Sequence, residues 1–459
     1  MGLFFGLALT QSIYPVALYS TIISLFLITF LSFYQFTIKL KAFHFILLLM
    51  IVSFVVKVFS ILFFERLMLD TSGIPFLSYK DDYTYNETSS DILNAWGYRG
   101  FGFYSDIRFS TGFYSGYPNI SALAKLLFGD HYLVPRFLNA FFSTLTIPFY
   151  YFTVKYLSSN KNIVRVTTIL LSFSPAFITY SSLQLKDTIL IFFVATLLYG
   201  TIQFFSKGVN AKNIIVVALS MAALLFFRAA ILLPYIISLI LAITVAKEKY
   251  SNNNSWSLKS FLWIALVLSF FYIFWGYLYS SGVLALTGEE YFESRFSSRG
   301  GSDAYQGTND IGKLGIIAVL LGPLLALLSL FLPAPVYIQL DELSSTVPYH
   351  YLPLLGYYAI LPMVCTCLFY LVKNYRINKI GLFLITFLIL YKLGQAGSKS
   401  ILDSRQSLPA IYVAYLLLAY FDLKQKDINI LWKRYRLLIV LMLLVVMFSV
   451  TFLRYIIRL

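Results

Sequence analysis

Charged residues are scarce in this sequence. Asp, Glu, Lys and Arg together make up 12% of the 459 residues, whereas an ordinary soluble domain carries roughly 25%. The shortage excludes an ordinary soluble domain, and long apolar runs recur along the whole chain. We therefore expect an all-α polytopic membrane protein, because a helix satisfies its own backbone hydrogen bonds in lipid.

Cysteine and histidine are rarer still. The two cysteines, Cys365 and Cys367, lie two residues apart in an apolar run, so they point to different faces of a helix. That spacing favours a packing role over a disulfide or a metal pair. The three histidines are too scattered along the chain to form a His-based metal cluster.

Acidic residues are outnumbered, with 20 Asp and Glu against 35 Lys and Arg. A basic excess can indicate nucleic-acid binding, but membrane proteins concentrate Lys and Arg in their cytoplasmic loops. We therefore predict no nucleic-acid partner and place six basic clusters in the cytoplasm. These clusters lie at 39–41, 155–165, 207–212, 247–259, 373–379 and 424–436.

Apolar runs of roughly 20 residues indicate candidate membrane helices, about 12–13 in all. The runs lie at 13–36, 42–64, 131–152, 164–182, 188–205, 213–227, 230–246, 260–280, 312–339, 353–372, 379–395, 407–421 and 435–453. The run 312–339 is interrupted by Gly322 and Pro323, which favours a broken or re-entrant hairpin. Such a hairpin keeps the basic cluster 373–379 in the cytoplasm.

One membrane domain over residues 1–459 accounts for all of these runs, and no separate soluble domain is predicted. Two long polar loops, 65–130 and 281–311, fall on the outer face once the basic clusters are inside. This organisation predicts a multi-pass protein of the inner or plasma membrane whose active site faces the periplasm or the exterior.

The first outer loop contains two short helical patterns. In SSDILNAW, Ser89 or Ser90 can cap a helix, and in NISALAKLLFG, Asn119 can do so. Both helices are too short to span the membrane. We expect them to lie flat at the membrane interface, anchored by Trp96 and Phe128.

Two adjacent carboxylates, Asp81 and Asp82, open the first outer loop among tyrosines. One interpretation is a solvated turn that ends the preceding span. The other is a catalytic pair, in which repulsion and partial burial separate the two pKa values and prepare one carboxylate to act as a general base. The residues alone leave both interpretations open.

Four cations stand near the outer boundary, against the usual bias of basic residues towards the cytoplasm: Lys57, Arg136, Lys186 and Arg228. Each alone can be structural, and Lys186 can snorkel beside a helix that Asp187 caps. Together they predict a site for the phosphate of a lipid carrier, since charged groups in membranes face a partner or a cavity.

The second outer loop carries Arg295 and Arg299 in the Gly- and Ser-rich segment FESRFSSRGGSDAYQG. This composition predicts either a lid or acceptor-binding loop, or a solvated charged loop. Arg405, in SRQSLP, is interpreted as a residue at the start of a late helix.

These segments resemble the GT-C superfamily of integral-membrane glycosyltransferases, in particular the bacterial branch related to protein O-mannosyltransferases and to the lipid A aminoarabinose transferase. The motifs are DDYTY at 81–85, PRFLNAF at 135–141, SPAFITYSSLQLKD at 174–187 and Arg228, within the region 75–235. SRQSLP is a weaker match to an Arg–Pro element near the end of such proteins. Two spans precede the first outer loop here, whereas the family usually has one.

The resemblance implies an inverting transferase that takes a sugar from a polyprenyl-phosphate-linked donor in the outer leaflet. The acceptor would be a glycan, a lipid or a protein, and membrane lipids would surround the enzyme. Asp81 or Asp82 would be the base, and Lys186 and Arg228 would hold the donor phosphate. No cofactor is expected, although the carboxylates of Asp81, Asp82 and Asp91 could bind a divalent metal ion.

Two other functions fit the sequence. A polymerase of lipid-linked oligosaccharide repeats, of the O-antigen or capsule type, would use the same face and a lipid diphosphate donor. A transporter or flippase of polyprenyl-linked sugars predicts paired halves and polar groups at mid-bilayer. The chain has no convincing internal duplication, and its unusual charges lie at the outer boundary, so a glycosyltransferase is the favoured interpretation.

Overall fold

The structure is a computed structural model with helices throughout the part that it describes. The described residues are 40–76, 81–104, 116–208, 210–245, 347–374, 378–397, 405–422, 425–437 and 440–441. Within these ranges no strand occurs. The predicted all-α polytopic membrane class is confirmed.

The helices are numbered in chain order. The first group consists of α1 (Ala42–Ser72), α2 (Asp81–Arg99), α3 (Gly116–Phe128), α4 (Val134–Leu157), α5 (Lys161–Ser172) and α6 (Pro175–Ser181). The second group consists of α7 (Asp187–Lys207), α8 (Ala211–Arg228), α9 (Leu232–Val245), α10 (Val347–Lys373), α11 (Lys379–Gly397) and α12 (Leu408–Leu417). A 3-10 turn, Ala229–Ile231, joins α8 to α9.

Several helices of the described chain are long and apolar enough to cross a membrane. The stretches that meet this condition are Ala42–Asp70, Asp187–Lys207 and Ala211–Val245. The pair α5 and α6, bent by 40°, forms a further broken span. These helices agree with the predicted spans at 42–64, 164–182 and 188–205.

Other predicted spans have different outcomes. Helices occupy the predicted spans 131–152, 353–372, 379–395 and 407–421. The predictions at 13–36, 260–280 and 312–339, and nearly all of 435–453, lie outside the described residues. The re-entrant hairpin therefore stays a prediction.

The helices α8 and α9 run in opposite directions, and the 3-10 turn between them follows Arg228, whose backbone is not helical. Arg228, at the end of α8, lies against Asp187, the first residue of α7. Tyr235, in α9, shares a 2.7 Å hydrogen bond with Thr201 of α7. Thr201 lies about 21 Å beyond Asp187 along α7, at 1.5 Å per residue. The chain thus turns back at Ala229–Ile231, as the two separate predicted runs 213–227 and 230–246 require.

The two helices of the first outer loop are present, but both begin earlier than predicted. Ser89 and Ser90 lie inside α2, whose first described turn carries Asp81 and Asp82, where carboxylates interact favourably with the helix dipole. Asn119 lies inside α3 and bonds instead with the backbone of Tyr104, accepting from its N–H at 3.0 Å and donating to its carbonyl at 2.8 Å. The three capping predictions were therefore wrong.

A glycine seats α3 against the C-terminal end of α8. A Cβ atom at Gly116 would lie 2.8 Å from the carbonyl oxygen of Phe226, so only glycine permits this approach. At the other end of α3, Gly129 takes a φ of 98° and its N–H donates to the Lys125 carbonyl at 2.8 Å. That left-handed residue ends the helix. The flat, interfacial position of both loop helices stays a prediction.

A buried lysine joins α2 to α3. Lys125 Nζ donates to Asn86 Oδ1 at 2.9 Å and to Ser90 Oγ at 2.7 Å, and it lies 3.0 Å from Asp130 Oδ1. The Lys125 side chain is 1% exposed. Burial lowers the pKa of Lys125, and the hydrogen bond and charge of Asp130 oppose that shift. This contact fixes the outer-loop helix that begins with Asp81.

We expect Lys125→Met to lower the midpoint of thermal unfolding by several degrees. The substitution leaves three acceptors without their donor, at a cost of about 2 kcal/mol. The matched control is Lys161→Met, which removes an exposed lysine from the start of α5. Thermal unfolding of both variants in detergent measures the effect. Equal midpoints for the two variants would contradict a structural role for Lys125.

Candidate active site

Four chain segments bring charged residues together at one place. The Arg405 guanidinium lies 2.6 Å, through Nη1, from Asp81 Oδ2 and 3.4 Å, through Nε, from Asp187 Oδ2. Arg228 Nη1 lies 3.9 Å from Asp187 Oδ1. Lys186 precedes Asp187 and interacts electrostatically with the other four residues. We call Asp81, Lys186, Asp187, Arg228 and Arg405 the ionic cluster.

The members of the ionic cluster stand at the ends of helices. Asp81 begins α2, Asp187 begins α7, and Arg228 ends α8. Arg405 precedes the first residue of α12 by three positions. A carboxylate is favoured at a helix N-terminus, where the backbone N–H groups carry partial positive charge. Both aspartates are thus held by their own helices, while the cations reach them from other elements.

The turn that carries Arg405 is fixed by α11. Tyr391 Oη donates to the Gln406 carbonyl at 2.7 Å. Lys392 Nζ donates to Ser407 Oγ at 2.8 Å, and Lys392 is only 1% exposed. Two consecutive residues of one membrane helix therefore hold the two residues that follow Arg405, which limits how far its guanidinium can move.

Arg228 connects this turn to the start of α7. Its Nη2 donates to Gln406 Oε1, and its Nη1 faces Asp187. The Arg228 side chain is 16% exposed. Arg228 therefore contacts both segments that position Arg405 and still reaches solvent.

Accessibility falls from one side of the ionic cluster to the other. The Asp81 side chain is 49% exposed, that of Arg405 is 13% exposed, and that of Asp187 is 4% exposed. Asp81 therefore forms the exposed side of the ionic cluster, and Asp187 forms the buried side. Arg405 lies between them with one guanidinium edge on each carboxylate.

Lys186 lies in the short connection between α6 and α7 and does not reach bulk water as snorkelling requires. Burial lowers the pKa of Lys186 well below its ordinary value. The carboxylates of Asp187 and Asp81 oppose this shift, whereas the cations Arg228 and Arg405 add to it. An added anion at this point would favour the charged ammonium form.

Asp82 turns away from the ionic cluster. It is 3% exposed and interacts electrostatically with Arg136. Arg136 is fully buried, donates to the Pro75 carbonyl, and lies 5.6 Å from the ring centroid of Phe76. The structure thus divides the adjacent aspartates, with Asp81 facing water and Asp82 facing an enclosed arginine that braces the connection between α1 and α2.

Of the remaining predicted site residues, the structure describes Lys57 but not Arg295 and Arg299. Lys57 is 1% exposed on α1, and in the described part of the chain no hydrogen bond or ion pair joins it to another residue. Arg295 and Arg299 lie outside the described residues, so the lid or acceptor-loop hypothesis stays a prediction.

A metal site at Asp81, Asp82 and Asp91 finds no support from the geometry. Asp81 contacts Arg405, whereas Asp82 faces Arg136. Among the residues described by the structure, no group of three or more His, Cys, Asp or Glu side chains could hold a metal ion. The expectation that no cofactor is needed stays a prediction.

Three residues of the site had no functional assignment from sequence. Arg405 was interpreted as a helix-start residue and Asp187 as a helix cap, yet together they form the centre of the ionic cluster. Lys392 lies within an apolar run, and a lone charge in such a run was the available signal of a functional residue. The SRQSLP match was the signal for Arg405.

Residues 107–285 match a family model described as Dolichyl-phosphate-mannose-protein mannosyltransferase. The match confirms the resemblance to a GT-C family over this range. It includes Lys186, Asp187 and Arg228, and it begins after the DDYTY motif that contains Asp81. No curated protein and no solved structure matches the chain significantly.

Proposed function

We propose that this protein is an inverting membrane glycosyltransferase, which moves a sugar from a polyprenyl-phosphate-linked donor to an acceptor hydroxyl on the outer face of the membrane. The observation that carries the proposal is the ionic cluster, in which a water-accessible carboxylate lies 2.6 Å from a guanidinium at the ends of apolar helices. The family match over 107–285 supports the same class of reaction.

The reaction is a single displacement. The acceptor hydroxyl gives its proton to the Asp81 carboxylate while its oxygen forms a bond to the anomeric carbon. The bond from that carbon to the phosphate oxygen breaks, and polyprenyl phosphate leaves with the electron pair. Arg228 and Lys186 stabilise the negative charge that grows on the phosphate, in a site with little water.

Exposure favours Asp81 over Asp82 as the base. A base must lie within hydrogen-bond reach of the acceptor hydroxyl, and a sugar or protein acceptor arrives from water. The Asp81 side chain is 49% exposed, while Asp82 is 3% exposed and faces Arg136. We therefore narrow the sequence hypothesis to Asp81.

The cluster predicts a monophosphate donor. We expect the purified protein in proteoliposomes to transfer a labelled sugar from a polyprenyl monophosphate and not from the corresponding diphosphate. Three cations that share two carboxylates leave little net charge to hold a second phosphate. Product formation with each donor, followed by mass spectrometry of the released lipid, measures the preference.

The same assay contains the results that would overturn the proposal. Joining of oligosaccharide units from the diphosphate donor would indicate a repeat-unit polymerase. Movement of labelled lipid between leaflets without sugar transfer would indicate a transporter or flippase. The heat-denatured protein serves as the control for chemical hydrolysis of the donor.

A further inference from the structure

We infer that the donor phosphate and the Asp81 carboxylate compete for the same edge of the Arg405 guanidinium, so that donor binding releases the base. This inference rests on the proposed function and deepens it. In this inference the ion pair between Asp81 and Arg405 is the resting state of the site, in which Arg405 occupies the proton acceptor until the donor arrives.

The geometry gives Arg405 two unequal contacts. Its Nη1 edge lies 2.6 Å from Asp81, on the exposed side of the cluster. Its Nε lies 3.4 Å from Asp187, whose side chain is 4% exposed. An anion that enters from water therefore meets the Asp81 contact first, and the Asp187 contact lies behind it.

The chemistry of the two anions makes them alternatives. A guanidinium binds a carboxylate or a phosphate with the same pair of parallel N–H donors. The donor phosphate is a diester with one negative charge, as the carboxylate has, so it can replace Asp81 at an exposed guanidinium edge without a change in net charge. The charge of Asp187, 3.4 Å from Nε, attracts Arg405, and α11 holds its turn through Gln406 and Ser407. The side chain therefore stays in the site when Nη1 changes partner.

The exchange has a consequence for catalysis. A carboxylate beside a guanidinium is a weak proton acceptor, because the cation stabilises its charged form. When Arg405 moves to the phosphate, Asp81 becomes a stronger acceptor at the moment when the anomeric carbon is in place. If the acceptor hydroxyl binds first, it finds Asp81 still paired with Arg405. The reaction is therefore ordered, and the donor binds before the acceptor.

A double-mutant cycle on ligand binding tests the competition. The probe is heptaprenyl monophosphate, titrated against the full-length protein in detergent micelles by calorimetry. We expect Asp81→Asn to bind it about three- to fivefold more tightly than the wild type, since an ion pair of this exposure is worth up to about 1 kcal/mol. In an Arg405→Gln background, Asp81→Asn should change the affinity by less than about twofold.

Three controls separate the alternatives. Asp91→Asn removes a carboxylate from the same helix outside the ionic cluster and should leave the affinity unchanged. Titration with inorganic phosphate distinguishes a free-anion site from one that needs the prenyl chain. Thermal unfolding of every variant shows that a weak binder is folded, and Arg405→Lys supplies a conservative second variant.

Each outcome of the double-mutant cycle supports or overturns the competition or the proposed function. The competition is overturned if Asp81→Asn binds heptaprenyl monophosphate no more tightly than the wild type does. It is also overturned if Asp81→Asn raises the affinity equally in the Arg405→Gln background. Both results leave the proposed function in place. A folded wild type that binds no heptaprenyl monophosphate overturns the proposed function itself. Tightening that depends on Arg405 supports both.

Discussion

Replacing Asp81 by Asn is expected to lower kcat for sugar transfer by about a thousandfold, within the range that general-base catalysis contributes. Asn has the shape of Asp but cannot accept the proton of the acceptor hydroxyl. The KM for the donor should not rise, because the substitution frees one edge of Arg405 rather than removing a phosphate ligand. Initial rates at varied donor concentration measure both constants.

The neighbouring aspartate provides the matched control for Asp81. Asp82→Asn removes the same charge one residue away, on the side of α2 that faces Arg136. We expect this variant to lose thermal stability and to keep the wild-type turnover per folded molecule. Full turnover by Asp81→Asn, or equal losses of turnover in both variants, would contradict the assignment of Asp81 as the base.

Replacing Arg228 by Gln is expected to lower kcat by about a hundredfold, the usual loss when one preorganised group that faces a developing negative charge is removed. Arg228 is 16% exposed beside Asp187 and is the last residue of α8. Gln keeps a polar group near Gln406 but cannot stabilise the leaving phosphate. Single-turnover rates with bound donor separate this loss from weaker binding.

One further variant separates the charge of Arg228 from its shape, and a second variant provides a control outside the ionic cluster. Arg228→Lys keeps the charge without the two-pronged donor set, so we expect partial recovery of kcat. Arg136→Gln removes a buried arginine outside the ionic cluster and should lower the unfolding midpoint while turnover per folded molecule is kept. A folded Arg228→Gln variant with wild-type kcat would remove this residue from the mechanism.

The sequence predicted the membrane helices well, because the length of an apolar run is a local property. The runs at 42–64, 164–182 and 188–205 correspond to helices, and the bend between α5 and α6 falls at Pro175. The helix starts were harder to predict. A serine suggests a cap wherever it stands, whereas the first described turn of α2 carries the carboxylates of Asp81 and Asp82.

The candidate site was only half predictable for a different reason. Asp81, Lys186 and Arg228 stood out because charges are rare in an apolar chain. Nothing local links Arg405 to Asp81, since the two are separated by 324 positions. Nor could spacing show that Asp82 and Arg136 would be enclosed, because burial depends on how the connection after α1 folds over α4.

That separation of 324 positions also sets an order of assembly. The helix that begins with Asp81 is synthesised long before the turn that carries Arg405, and contacts so distant along the chain form late in folding. A nascent chain therefore inserts most of its helices while the carboxylate has no arginine from the late turn beside it. The ionic cluster is therefore complete only when that late turn docks, so the contact between Arg405 and Asp81 reports that the first and last parts of the described chain have come together.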